Sequence, residues 1–188
     1  MAYFLISGTG DLVEPVSAAL RSDGHAVVVA ADHAGVAAAA AKAGPRSFDG
    51  YVQLPARFGL LGDSAVNRIH HFVVHGIMER YPAMAAALPA LGPGARIAFV
   101  PAVLPAEVAT DDDVEARAAL LRVLARAARA DGPDGLRVSF LGSGSTAEEI
   151  ALDVQGRGPT RPGSAPTEPD RSYADWRTEL LGMMSALS

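Results

Sequence analysis

Residues 3–14 read Tyr3-Phe4-Leu5-Ile6-Ser7-Gly8-Thr9-Gly10-Asp11-Leu12-Val13-Glu14. A short apolar run stops at two glycines, and a helix-forming pattern follows at once. That order constrains the fold more than any other stretch. A buried strand with a glycine-rich exit that feeds a helix opens many doubly wound α/β sheets, whose exit loop can cradle a phosphate. Gly8, Thr9 and Gly10 are therefore candidate cofactor-binding positions. Asp11 is placed as an N-cap, and Glu14 three residues later completes a capping box. Pro15 falls in the first turn, where a missing N–H costs least. A capping box here would occupy the donors a pyrophosphate needs and add like charge. The later loop positions, Asp11 to Val13, carry no glycine.

The strand–helix alternation continues down the chain. Residues 26–31, centred on Val27-Val28-Val29, predict a second strand ending at Asp32. An aspartate there is placed to hold a ribose diol, which favours NAD over NADP; an ordinary loop aspartate is the alternative. An alanine-rich helix over 35–43 stops at Gly44-Pro45. Residues 49–54 predict a third strand, 55–63 a loop, and 64–88 a long helix, either whole or interrupted at Pro82. Residues 96–100 predict a fourth strand. Asp111-Asp112-Asp113 opens a helix to residue 130, with acidic charge at the positive end of its dipole. Residues 136–141 predict a fifth strand, before Gly142-Ser143-Gly144 and a short helix from Thr146. This order favours a parallel sheet with right-handed crossovers. The expected fold is a reduced Rossmann-like, doubly wound parallel sheet of five strands with helices on both faces, one domain over residues 1–155. Residues 156–171, with Pro159, Pro162, Pro166 and Pro169, read as a linker. Residues 172–188 read as a C-terminal amphipathic helix. Its Tyr173, Trp176, Leu180, Met184 and Leu187 fall on one stripe that covers the domain or a partner subunit.

Composition narrows the functional classes. The 188 residues suffice for one core, and 49% are hydrophobic. The net charge is −5 and no basic block stands out, which argues against nucleic acid. The absence of cysteine excludes disulfide and thiolate chemistry and fits a reducing cytoplasm. No apolar run approaches the roughly 20 residues of a membrane span, and the N-terminus lacks the basic region of a signal peptide. A cytoplasmic chain is expected. Lys42 is the only lysine among 16 basic residues, a pattern of GC-rich, actinobacterial-type coding.

Several motifs, taken in order, resemble the short-chain dehydrogenase/reductases over residues 3–150. Ser7-Gly8-Thr9-Gly10 resembles that family's Thr-Gly start, and Val66-Asn67 its Val-Asn, whose asparagine belongs to the catalytic set. Gly94-Ala95-Arg96-Ile97-Ala98-Phe99-Val100 resembles the Gly-Arg-Ile-Val strand before the catalytic serine. Arg117-Ala118-Ala119-Leu120 resembles the Lys-Ala-Ala-Leu of the catalytic helix. Leu136-Arg137-Val138 with Gly142-Ser143-Gly144 resembles the Ile-Arg-Val-Asn…Pro-Gly strand and loop.

The departures decide what the resemblance implies. The family's serine falls at Pro101-Ala102, its tyrosine on Asp113 and its lysine on Arg117. The matching catalytic positions are thus Asn67, Asp113 and Arg117. An ionised carboxylate has no proton to give, and a guanidinium stays charged and shuttles protons poorly. Asp113 and Arg117, one helical turn apart, read as an inward ion pair; an anion site at Arg117 or an acid–base role for Asp113 is the alternative. The segment before the long helix is also short by a strand–helix pair, and with it by the family's Asn-Asn-Ala-Gly loop. Bound NAD or NADP is conceivable on this scaffold, with the loop chemistry against it. His71 and His75 are spaced for one metal, but no third ligand is evident, and no metal is expected. With His70 they suit a helix–helix interface. Ser143 and Ser145 lack His–Asp partners for nucleophilic work. The expected role is a degenerate, non-catalytic subunit, a pseudoenzyme pairing through helices 64–88 and 113–130 with itself or, as a heterodimer, with an active ketoreductase-like oxidoreductase. The alternatives are an enzyme using Asn67, Asp113 and Arg117, and a small-molecule-binding regulatory domain.

Overall fold

In the computed structural model, β1 (Tyr3–Ser7) is buried on both faces: Phe4, Leu5 and Ile6 are at most 2% exposed. A strand apolar on both sides must lie inside a sheet covered by helices, the condition that parallel sheets meet. The structure describes residues 1–55, 64, 66, 67, 70, 74, 78–101, 111–142 and 144–158, with backbone alone for 111–118. Their elements after β1 are α1 (Val13–Ser22), β2 (Ala26–Ala30), α2 (His33–Ala43) and β3 (Phe48–Gln53). Next come α3 (Arg80–Ala87), a 3-10 turn (Leu88–Ala90), β4 (Leu91–Phe99), α4 (Asp111–Asp131), β5 (Arg137–Phe140) and α5 (Ala147–Val154).

The five strands form one parallel sheet in the order β2-β1-β3-β4-β5. Striking the third strand from the dinucleotide-binding order 3-2-1-4-5-6, and renumbering, gives this order. The strand–helix pair missing from the sequence is therefore the one that would flank β2. β2 becomes an edge among the described residues, and its Val29 is 41% exposed.

Alternation along the strands builds two cores. Leu5, Tyr51, Ile97 and Phe99 face Val36 of α2, Met84 of α3 and Leu121, Leu124 and Ala128 of α4. Phe4, Ile6, Val52, Ala98 and Val100 face Val16 and Leu20 of α1 and Ile150 and Val154 of α5. Each large apolar side chain so buried contributes about 1.5–3 kcal/mol. Gly50 makes the second core possible: a Cβ there would stand 2.8 Å from the Phe4 ring and 2.9 Å from Val154.

One local expectation is corrected, and one left open at Pro82 is decided. The capping box of Asp11 and Glu14 does not open α1; Leu12 stands at the N-cap without a side-chain cap. The exposed Glu14 instead approaches Arg21 at 3.8 Å. The helix over 64–88 is not one unbroken element. Residues 66, 67 and 70 are helical, 74 and 78 lie in wider π-type turns, and Glu79 is a turn before α3 starts afresh at Arg80. Pro82 is the reason: it lacks an N–H and is tolerated in a first turn, where the restart puts it. At α5 the capping box does form, with Thr146 Oγ1 accepting from the Glu149 N–H at 3.2 Å and Glu149 accepting from the Thr146 N–H at 3.0 Å. The linker and C-terminal helix expected beyond residue 158 lie outside the described residues. No helix among those described is long and apolar enough to cross a membrane.

Candidate functional site

The chain leaves β1 toward β2 on one side and later places β3 on the other. The sheet order therefore reverses at the carboxyl ends of β1 and β3, where ligands bind in open α/β sheets. Four buried polar side chains meet there. Ser7 and Gln53 end their strands, Tyr51 lies two residues inside β3, and Arg80 starts α3. The Arg80 carbonyl accepts from Gln53 Nε2 at 3.0 Å, which fixes the orientation of the amide. The same Nε2 donates to Tyr51 Oη at 3.2 Å, and the phenol shares a 2.6 Å hydrogen bond with Ser7 Oγ. Burial pushes the Tyr51 phenol above its ordinary pKa, against lowering by Ser7, Gln53 and the Arg80 charge. Arg80 also donates to the Val100 carbonyl at 3.1 Å and ties α3 to the end of β4. The network locks three strands and a helix together, and Gln53 Oε1 is left buried without a hydrogen-bond partner.

The glycine loop lies directly beside this network. Gly8 has φ +141°, a conformation glycine alone adopts easily, and its N–H donates to the Ala30 carbonyl at 3.0 Å. The Thr9 and Gly10 amides both point at the Pro55 carbonyl, at 3.4 and 3.2 Å. A Cβ on Gly8 would stand 2.9 Å from Leu54 Cβ and 3.0 Å from the Pro55 oxygen; on Gly10 it would stand 3.1 Å from that oxygen. The close approach that bare backbone permits is thus taken by Leu54 and Pro55. A pyrophosphate placed here would meet a carbonyl oxygen instead of open N–H donors. A space of about 40 Å³ lies between Ser7, Gly8, Asp32, Gln53 and Arg80, enough for water. Asp32 does end the second strand as expected. Its carboxylate caps α2, accepting from the Gly35 N–H at 2.8 Å. As arranged, the Thr9 and Gly10 amides are engaged by Pro55 where a dinucleotide's pyrophosphate would need them.

Asn67 is exposed, and its backbone N–H donates to Ser64 Oγ at 3.2 Å. Asp113 and Arg117 both fall within helix α4, one turn apart; their side chains lie outside what is described, as do His71, His75 and Ser143. Pro101 occupies the position of the family's serine region at the end of β4. His70 is exposed, and no group of metal-ligating side chains gathers among the described residues. Ser145 is buried, and its hydroxyl finds no hydrogen-bond partner among the described residues.

Solved structures place this architecture. A short-chain dehydrogenase/reductase variant from Serratia marcescens superposes with a TM-score of 0.60 at 19% identity, over 84% of this chain and 90% of that one. The protein lin1944 from Listeria innocua gives a TM-score of 0.60 at 12% identity, over 92% and 98% of the two chains. BdcA, a protein of E. coli, in complex with NADPH gives 0.53 at 19% identity, over 84% and 87%. The fold is that of the short-chain dehydrogenase/reductases. No family model and no curated protein matches the sequence itself. On this fold, sequence reasoning singled out the glycine loop and Asp32. It missed the Ser7–Tyr51–Gln53–Arg80 network, whose one sequence signal is a polar residue closing each of two apolar strands.

Proposed function

We propose that this chain is an accessory subunit of short-chain-dehydrogenase fold that carries out no hydride transfer of its own. It pairs through the helical segments over 64–88 and 113–130, with a second copy or with an active oxidoreductase of the same fold that it completes or stabilises. The observation that carries this reading is the glycine loop, whose Thr9 and Gly10 amides are directed at the Pro55 carbonyl where a pyrophosphate would need them. The catalytic positions agree with it. Proline stands near the family's serine position, and Asp113 and Arg117 replace a proton-donating tyrosine and a shuttling lysine. What remains is a rigid, well-buried scaffold, the part of an enzyme that a partner can use.

Co-expression with the products of neighbouring genes tests the reading, followed by sizing and a carbonyl-reduction assay. A complex larger than the single chain is expected, in which the partner is more active or more stable than alone. Turnover of NADH or NADPH by the isolated chain would contradict the reading.

A further inference from the structure

Between α3 and α4, on the face of the sheet away from α1 and α5, lies an apolar groove of about 310 Å³. Tyr81, Met84, Ala85 and Leu88 form one wall, and Leu124 and Ala127 belong to the other. Among the described residues Asp131 is the only charged side chain that lines it. Tyr81 Oη donates to the Leu120 carbonyl at 3.1 Å, so the two helices are held side by side and the groove is a fixed feature.

We propose that the groove is filled by the C-terminal segment of the same chain, residues 172–187, through its stripe of Tyr173, Trp176, Leu180 and Met184. The groove lies between the two helical segments through which the accessory reading pairs the chain, so the docked segment would be part of that pairing surface. Three observations favour that occupant. The stripe repeats at helical spacing and is amphipathic, the pattern that helix-in-groove recognition uses. The described chain also ends at the right edge of the sheet. Gly156 and Gly158 lie against Arg96 and Asp153, and Arg96 pairs with Arg137 where β5 begins. Leu88 and Asp131 of the groove lie at that edge too, because α3 leads through Leu88–Ala90 into β4 and α4 ends at Asp131 just before β5. Finally, the connection is long enough. The 13 residues from 159 to 171 extend to about 40 Å as a proline-rich strand, against the roughly 20 Å needed to pass two layers. A tether of this length gives the segment an effective concentration of about millimolar at its own groove, which favours it over the same segment of a second copy. The docked helix would then form part of the outer surface that any partner meets.

Trp176 is the only tryptophan in the chain, so its emission reports on the segment alone. In the full-length protein the emission maximum is expected to be blue-shifted and unchanged on dilution. Ala85→Arg, an exposed position on the groove wall, is expected to move it to the red without altering the far-UV circular dichroism. Should Ala85→Arg unfold, Ala127→Arg on the other wall takes its place. Solvent-like emission in the wild-type chain would overturn the proposal, as would blue-shifted emission that both variants leave unchanged. A blue shift that vanishes as a dimer dissociates would assign the groove to a second copy and overturn it too.

Discussion

Tyr51 shows how one side chain can hold the switch point of this sheet. Its hydroxyl accepts from Gln53 and shares a short hydrogen bond with Ser7, fully shielded from water. Tyr51→Phe would strand Ser7 Oγ and one Gln53 N–H in the core. A loss of about 1–3 kcal/mol is expected in chemical denaturation. The same burial sets a pH dependence. The folded-state pKa is raised, so folding favours the neutral phenol. That contribution is whole below the unfolded value near 10 and is lost as pH rises from there through the folded value. Thermal melts between about pH 8 and 11 should fall more steeply for the wild type than for Tyr51→Phe. Asp32 separates a structural from a ligand-binding role at one position. Its carboxylate caps α2, and asparagine caps equally well. Asp32→Ala is expected to cost about 0.5–2 kcal/mol and Asp32→Asn very little, both read by denaturant midpoint.

The helix ends show where local signals suffice and where packing overrides them. Thr146 and Glu149 are spaced as a capping box and form one. Thr146→Ala should lower stability by about 0.5–2 kcal/mol, measured in the same titration. Asp11 and Glu14 carry an equally good signal and form none. There the loop geometry is set by a long-range contact, the Thr9 and Gly10 amides reaching across to Pro55, and α1 begins only once the chain is clear of it. The strands were legible because an apolar run bounded by glycine, proline or aspartate has few alternatives, and each observed strand overlaps the stretch expected of it. The break before Arg80 was harder to place, since Pro82 is compatible with either an interrupted or a restarted helix. The Ser7–Tyr51–Gln53–Arg80 network left one trace in the sequence, a polar residue closing each of two apolar strands. Its members are up to 73 positions apart in sequence and meet only through the pairing of β1 with β3 and the placement of α3 beside them.

For the molecule as a whole, the loss of one strand–helix pair accounts for much of what differs from a dinucleotide-binding sheet. The order β2-β1-β3-β4-β5 keeps the switch point between β1 and β3. The chain leaving β3 lies on the glycine loop, with Leu54 and Pro55 in contact with Gly8 and Gly10. The fold is retained because its two cores depend on the apolar faces of the strands and not on the loop. Cofactor binding depends on the loop, and there the donors have found a partner within the protein. Calorimetric titration of the purified chain with NADH and with NADPH tests this most directly. No saturable binding is expected up to about millimolar cofactor, a binding free energy no stronger than about −4 kcal/mol. One-to-one binding of either cofactor in the micromolar range would contradict it.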